Sequence, residues 1–297
     1  MIKSLASVLA LLALLAGWPS RAEAKPLAVV ASFSVLGEIV HEVAGDKAEV
    51  TTLVGPDGDA HSFEPTPNDA KTLAGADLVI VNGLGLEKWM ERLVAAAGYK
   101  GTVAVASAGV TPRRMTEDGA EVTDPHAWQD LANGRIYVEN IARVLAKADP
   151  ADAAYFRARA DSYAATLIAL DGWVRQEIAQ VAPQKRRVIT THDAFGYFGA
   201  AYGVSFLAPE GISTDAEPSA GDLAKLVDQV KREKIRALFL ENITSPALMQ
   251  TISQETGVPL GGALFSDALS KSDGPAPTYV GMFKNNLPKL VAGMQQN

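Results

Sequence analysis

The sequence predicts an α/β protein of two similar βα lobes joined by one long, stiff helix. Three observations carry that expectation. Apolar β-type runs alternate with helix-patterned stretches on both sides of the chain's middle. A single amphipathic pattern of about thirty residues separates the two regions. A turn-helix-strand motif also recurs on either side of it.

The chain has a lysine near its start, Lys3, then an apolar run from Leu5 to Trp18 and the small-x-small step Ala22-Glu23-Ala24. This reads as a secretory signal peptide over 1–24, cleaved after Ala24, and directs the protein to the periplasm. The run is short for a membrane span, and no second run is long and charge-free enough for one. There is no cysteine, so the sequence offers no lipid-attachment cysteine, no disulfide framework and no thiolate for a metal. Cleavage removes two basic residues and one acidic one, which leaves the mature chain one unit more acidic than the full-length formal charge of −7. That balance argues against nucleic acid as a partner.

From Pro26 the order is LAVVASF, SVLGEIVHEVAG, AEVTTLV, NDAKTLAGA, DLVIVNG, LEKWMERLVAAAG and GTVAVAS, which alternates strand, helix and strand. A polar stretch, RRMTEDGAEVTD, follows. From about 130 to 182 the pattern is helical, broken at KADPAD, where Pro150 suits the first turn of a new helix. That second helix carries Phe156, Ala160, Tyr163, Leu167, Leu170 and Val174 at steps of three and four. The alternation then resumes with RRVITT, AFGYFGAAYG, VSFLA, SAGDLAKLVDQVKREK, IRALFLE, SPALMQTISQETG and VPLGGALFS, and a last helix starts near Pro277. The echo lies in EPTPNDAKTLAGADLVIVNG and EPSAGDLAKLVDQVKREKIRALFLEN. The expected division is 25–149 for the first lobe, 150–182 for the linking helix and 183–297 for the second lobe.

Four histidines are present. His61 lies in the Gly- and Pro-rich loop after AEVTTLV, His126 in TDPHAWQD behind a stiffening proline, and His192 at the end of RRVITT. All three fall in loops beyond strands, where α/β sheets bind ligands. His41 is mid-helix beside Glu38 and Glu42, and reads as a solvated surface residue. Three neutral imidazoles with a carboxylate make a site for a divalent metal. Asp267, directly after GALFS, is the best carboxylate, although an aspartate before ALS also suits a helix N-cap. Glu241 is the rival carboxylate, ranked below Asp267 because the end of a buried strand also suits a partner behind a ligand or a structural hydrogen bond. Asp57, Asp59, Glu64, Asp124, Asp193 and Glu217 read as turn or capping residues. Trp128 and Phe195 read as walls that keep water out.

DAHSFEPTPND, DPHAWQD with a helix ending KADP, THDAFGYFGAAYG and SDALSKSDGPAPTYVGMFKNNLPKLV together resemble the periplasmic metal-binding proteins of zinc and manganese ATP-binding-cassette importers. The likeness spans essentially the whole mature chain, with four motifs in order. It implies two Rossmann-like lobes on one long helix with the metal between them, and it assigns the ligand positions to His61, His126, His192 and Asp267. Members resembling manganese binders often carry glutamate in place of the third histidine. Well-known zinc-specific members carry a histidine- and acid-rich loop ahead of DPH, which is short and histidine-free here.

The implied function is capture of Zn2+ as a transported ligand, with Mn2+ or Fe2+ as the alternatives, and delivery to the ABC permease of the importer. A monomer is expected, and a periplasmic metallochaperone would fit as a source of the ion. The competing readings are a zinc hydrolase, which needs an open coordination position and has no His-Glu-x-x-His motif here, and a surface adhesin, for which no repeat or anchor is evident.

Overall fold

The computed structural model describes residues 25–117, 120–214 and 219–297. The expected signal peptide at 1–24 and Glu217 lie outside the described residues. The first lobe contains β1 (Leu27–Phe33), α1 (Ser34–Ala44), β2 (Ala48–Val54), α2 (Pro67–Ala74), β3 (Leu78–Val81), α3 (Met90–Ala97) and β4 (Thr102–Val105). Its four strands are parallel in the order β2-β1-β3-β4. β3, Leu-Val-Ile-Val, is buried at every position, as a strand covered on both faces must be. Local chemistry sets the helix ends. Thr66 and Asp69 form a reciprocal capping box behind Pro67 at the start of α2, and α1 stops at Gly45, whose φ of 56° is cheap only for glycine.

The polar stretch RRMTEDGAEVTD forms a hairpin that its composition does not suggest: β5 (Arg114–Glu117) pairs antiparallel with β6 (Ala120–Thr123). Asp118-Gly119, the dipeptide between them, lies outside the described residues and is a recognised hairpin signal in sequence. Next come α4 (Leu131–Ala148) and α5 (Ala153–Ala179), separated by one short turn at Pro150–Asp152. Each of the six apolar positions expected on the inner face of α5 is buried, with Ile178 added. Its 27 residues span ~40 Å. Near its start, Arg159 Nε donates to Glu42 O at 2.8 Å; near its end, Arg175 Nη1 donates to Ala201 O at 2.9 Å. One rigid rod therefore touches both lobes.

The second lobe comprises β7 (Arg187–Ile189), α6 (Gly196–Tyr202), β8 (Ser205–Leu207), α7 (Ala220–Glu233), β9 (Leu240–Glu241), α8 (Ala247–Thr256), β10 (Ala263–Leu264) and α9 (Tyr279–Gln295). β7 pairs with β8 and β9 with β10, all parallel. A bridge between Ile189 and Leu238 joins the two pairs. The resulting order, β8-β7-β9-β10, repeats that of the first lobe, and the two echoed motifs fall on α2-β3 and α7-β9. These strands are shorter than the apolar runs suggest. Gly261 and Gly262 interrupt the run before β10, Gly262 has a φ of 102°, and a Cβ at Gly261 would stand 2.3 Å from the Phe239 ring. The main core runs without a break from the first sheet through α4, α5 and α9 into the second lobe.

Candidate metal centre

Four chain segments meet in the cleft between the lobes; three leave the carboxyl ends of parallel strands and the fourth leaves the antiparallel hairpin. β2 leads to His61, the β5-β6 hairpin to His126, β7 to His192 and β10 to Asp267. One ligand atom from each of these residues lies within 4.8 Å of all the others. Asp267 Oδ2 is the hub: His61 Nε2 is 3.1 Å from it, His192 Nε2 3.2 Å and His126 Nε2 3.4 Å, while His61 Nε2 and His126 Nε2 are 3.2 Å apart. A four-coordinate ion with bonds of ~2.05 Å needs ligand separations of ~3.3 Å. Four of the six separations match that value, and all six lie within 4.8 Å. His126, His192 and Asp267 are fully buried, and His61 retains 6% exposure. Asp267 Oδ1 is buried without a hydrogen-bond partner, and a carboxylate held this way calls for a cation. No helix follows Asp267, so the capping alternative does not apply.

Two rings are aimed by carboxylates behind them. His126 Nδ1 lies 2.8 Å from Asp124 Oδ1, and the same oxygen accepts the His126 backbone N–H at 3.0 Å. His192 Nδ1 lies 2.8 Å from Glu241 Oε2, while Oε1 accepts the His192 backbone N–H at 2.9 Å. A proton kept on Nδ1 leaves the Nε2 lone pair directed into the cage. Glu241 thus stands behind His192 rather than competing with Asp267 for the cage. Asp124 does more than make a turn: it backs His126 and is itself paired with Arg113 Nη1 at 3.0 Å. The aspartate two residues ahead of a proline-restrained histidine is the signal for that role. Asn82 Nδ2 adds a bond to Pro125 O at 3.0 Å, which sequence reasoning misses.

The charges are strongly coupled. Burial works against a charged ring at His126, but the Asp267 and Asp124 carboxylates outweigh it and raise the pKa to about 9. His192 is raised too, by Glu241 and Asp267 against burial. Burial dominates at His61 and lowers it. Burial would raise Asp267, but His126 and His192 hold it well below the usual carboxylate range. Without a metal, protons on the rings balance the carboxylates; with a metal, they must leave.

Trp128 and Phe195 are buried as expected. Trp128 does more than exclude water: its Nε1 and Gln129 Nε2 both donate to Ser266 O at 2.9 Å, which ties the His126 segment to the Asp267 segment. His41 is exposed on α1 and takes no part in the cleft. Among the described residues no helix is long and apolar enough to cross a membrane.

Comparison with known proteins gives the same direction. Residues 29–293 match the family described as zinc-uptake complex component A, periplasmic. The manganese-binding lipoprotein MntA of Halalkalibacterium halodurans is 33% identical over 270 residues, covering 91% of this chain and 89% of its own. The iron-binding protein YfeA of Yersinia pestis is 31% identical over 274 residues, covering 92% and 88%. Among solved structures, the periplasmic zinc binding protein TroA from Treponema pallidum is 31% identical, with a TM-score of 0.86 over 91% of this chain and 99% of that one. A Mn-bound periplasmic metal binding protein from Candidatus Liberibacter asiaticus is 32% identical, with a TM-score of 0.81 over 91% and 100%. The chain therefore belongs to the zinc-uptake complex component A family, and it is the substrate-binding protein of a metal ABC transporter, not an enzyme.

Proposed function

We propose that this protein captures Zn2+ in the periplasm at His61, His126, His192 and Asp267 and delivers it to the ABC permease of its importer. The supporting observation is the donor set: three Nε2 atoms and one carboxylate oxygen, buried together within 4.8 Å. Three nitrogens and one oxygen in a closed cage suit a tetrahedral, borderline-soft ion, whereas Mn2+ favours oxygen-rich, higher coordination. The reading includes export with cleavage after Ala24, a monomer, and working boundaries of 25–149, 150–182 and 183–297. A periplasmic metallochaperone is a compatible ion source.

The second reading is manganese or iron uptake. It draws on Asp267 Oδ1, a second buried oxygen that could enlarge the coordination shell, and on relatives named for manganese and iron. Equilibrium competition separates the two. Chelator-stripped protein is dialysed against zinc and manganese, each buffered to a known free concentration, and its metal content is measured beside that of Asp267→Ala. One zinc per chain in the wild type, reduced in the variant, supports zinc capture. Manganese retained in competition moves the function to manganese or iron.

A further inference from the structure

His61 differs from the other two histidines of the cage in how it is held. It is the one cage residue with any exposure, at 6%, and it rides on the irregular segment between β2 and α2. Its placement depends on a carboxylate that bonds to its backbone. Asp59 Oδ1 accepts the His61 N–H at 2.9 Å, and Asp59 Oδ2 accepts the Ser62 hydroxyl at 2.6 Å. The same Oδ2 accepts the hydroxyl of Thr214, from the other lobe, at 2.6 Å. One carboxylate therefore fixes the backbone of a ligand and grips the opposite side of the cleft.

A second tie lies two residues earlier. Asp57 N donates to Leu269 O at 2.9 Å, and Asn242 Nδ2 donates to Asp57 Oδ1 at 3.0 Å. Asp57 has a φ of 57°, in the left-handed region that a non-glycine residue occupies at a cost. Bonds from the second lobe help to hold it there, so freeing the segment from that lobe also lets a strained turn relax. Other ties between the lobes are less accessible: those from Trp128 and Gln129 to Ser266 O and from Leu269 N to Ser34 Oγ are buried, and that from Arg113 N to the Tyr197 hydroxyl is half-buried. Asp57, Asp59, Ser62 and Thr214 all reach solvent. An ion leaving a buried cage needs one side to open, and this side is fastened by a few solvent-accessible bonds.

We propose that Asp59 and Thr214 form a latch between the lobes that positions His61 and sets the rate at which the bound ion leaves. The assignment rests on the capture reading above. Both are positioning residues, since neither offers an atom to the ion. Hydrogen bonds to a charged acceptor are among the stronger ones, so loss of the Thr214 hydroxyl should speed release about tenfold to a hundredfold.

The test is stopped-flow release of zinc into excess chromogenic chelator from the wild type, Thr214→Val and Thr214→Ser, with melting of each metal-free protein recorded alongside. Valine keeps the shape and removes the hydroxyl; serine keeps the hydroxyl. Faster release from Thr214→Val, near-wild-type release from Thr214→Ser and cooperative melting of every metal-free protein, with Thr214→Val lowered by no more than a few degrees, are the expected results. Wild-type release from Thr214→Val, or equal acceleration in both variants, overturns the latch. A wild type that does not load zinc overturns the zinc reading alone, and the same proteins loaded with manganese then decide the latch by the same criterion.

Discussion

At His126 and His192 the ring nitrogens facing the cage compete for protons and metal at once. Both rings titrate above the ordinary histidine range, His126 at about 9, because carboxylates surround them. A metal entering the site must therefore displace ring protons. A raised pKa favours the proton at low pH, so metal affinity falls as pH drops and rises towards pH 9, with a limiting slope of about tenfold per proton per pH unit. Calorimetry of zinc binding in buffers of different ionisation enthalpy counts these protons, and binding without proton release at pH 7 contradicts the site. Glu241→Gln keeps the size of the group behind His192 but loses its charge; an affinity loss of about 10–100-fold is expected in a chelator competition assay. His192→Ala should lose more than that, and His41→Ala nothing. The cage histidines and Asp267 are legible in the sequence because imidazoles are rare in it and fall after strands. Asp59 is not, since an aspartate beside glycine reads equally well as turn chemistry, and Asp124 is legible only through its place two residues ahead of His126.

At the scale of elements, α5 carries the largest load. Its buried face meets α1, α4, α6 and α9, so a cavity there is felt in both lobes. Leu167 is fully buried. Leu167→Ala should destabilise the protein by about 2–5 kcal/mol in a single denaturant transition seen alike by fluorescence and circular dichroism. Two separate transitions would show that the rod does not couple the lobes. Glu38 sits where α1, α5 and α9 meet, accepting the Tyr163 hydroxyl and the Tyr279 N–H, each at 3.2 Å. Burial raises it to about 7. An acid raised in the folded state contributes stability in full below its unfolded pKa of ~4.5 and loses it as pH rises through about 7. Glu38→Gln should therefore melt higher than wild type at pH 8, by about 1–2 kcal/mol after allowance for solvent screening, and show no gain at pH 4.5. Equal differences at both pH values contradict this. α5 is legible because its apolar face keeps one period over the whole length. The β5-β6 hairpin is legible only in its Asp-Gly dipeptide, because its strands are polar and lack a core-facing apolar alternation.

At the scale of the whole molecule, the repeated strand order puts the carboxyl ends of two parallel sheets on either side of one cleft, and four loops meet there. The duplication is legible only faintly, in two stretches beginning Glu-Pro. The convergence of loops from distant parts of the chain is a property of the packing, with no local pattern to announce it. The rod and the continuous core leave little freedom for a hinge, so metal binding should move loops and change the radius of gyration in solution scattering by less than about 1 Å. The most direct test of the capture site is a crystal structure of the zinc-loaded protein with anomalous data on both sides of the zinc edge. The prediction is a single peak in the cleft, ~2.0–2.2 Å from the Nε2 atoms of His61, His126 and His192 and from Asp267 Oδ2, with no water bound to it. A peak elsewhere, or an ion there that lacks one of these four ligands or holds a water, would contradict the closed capture site.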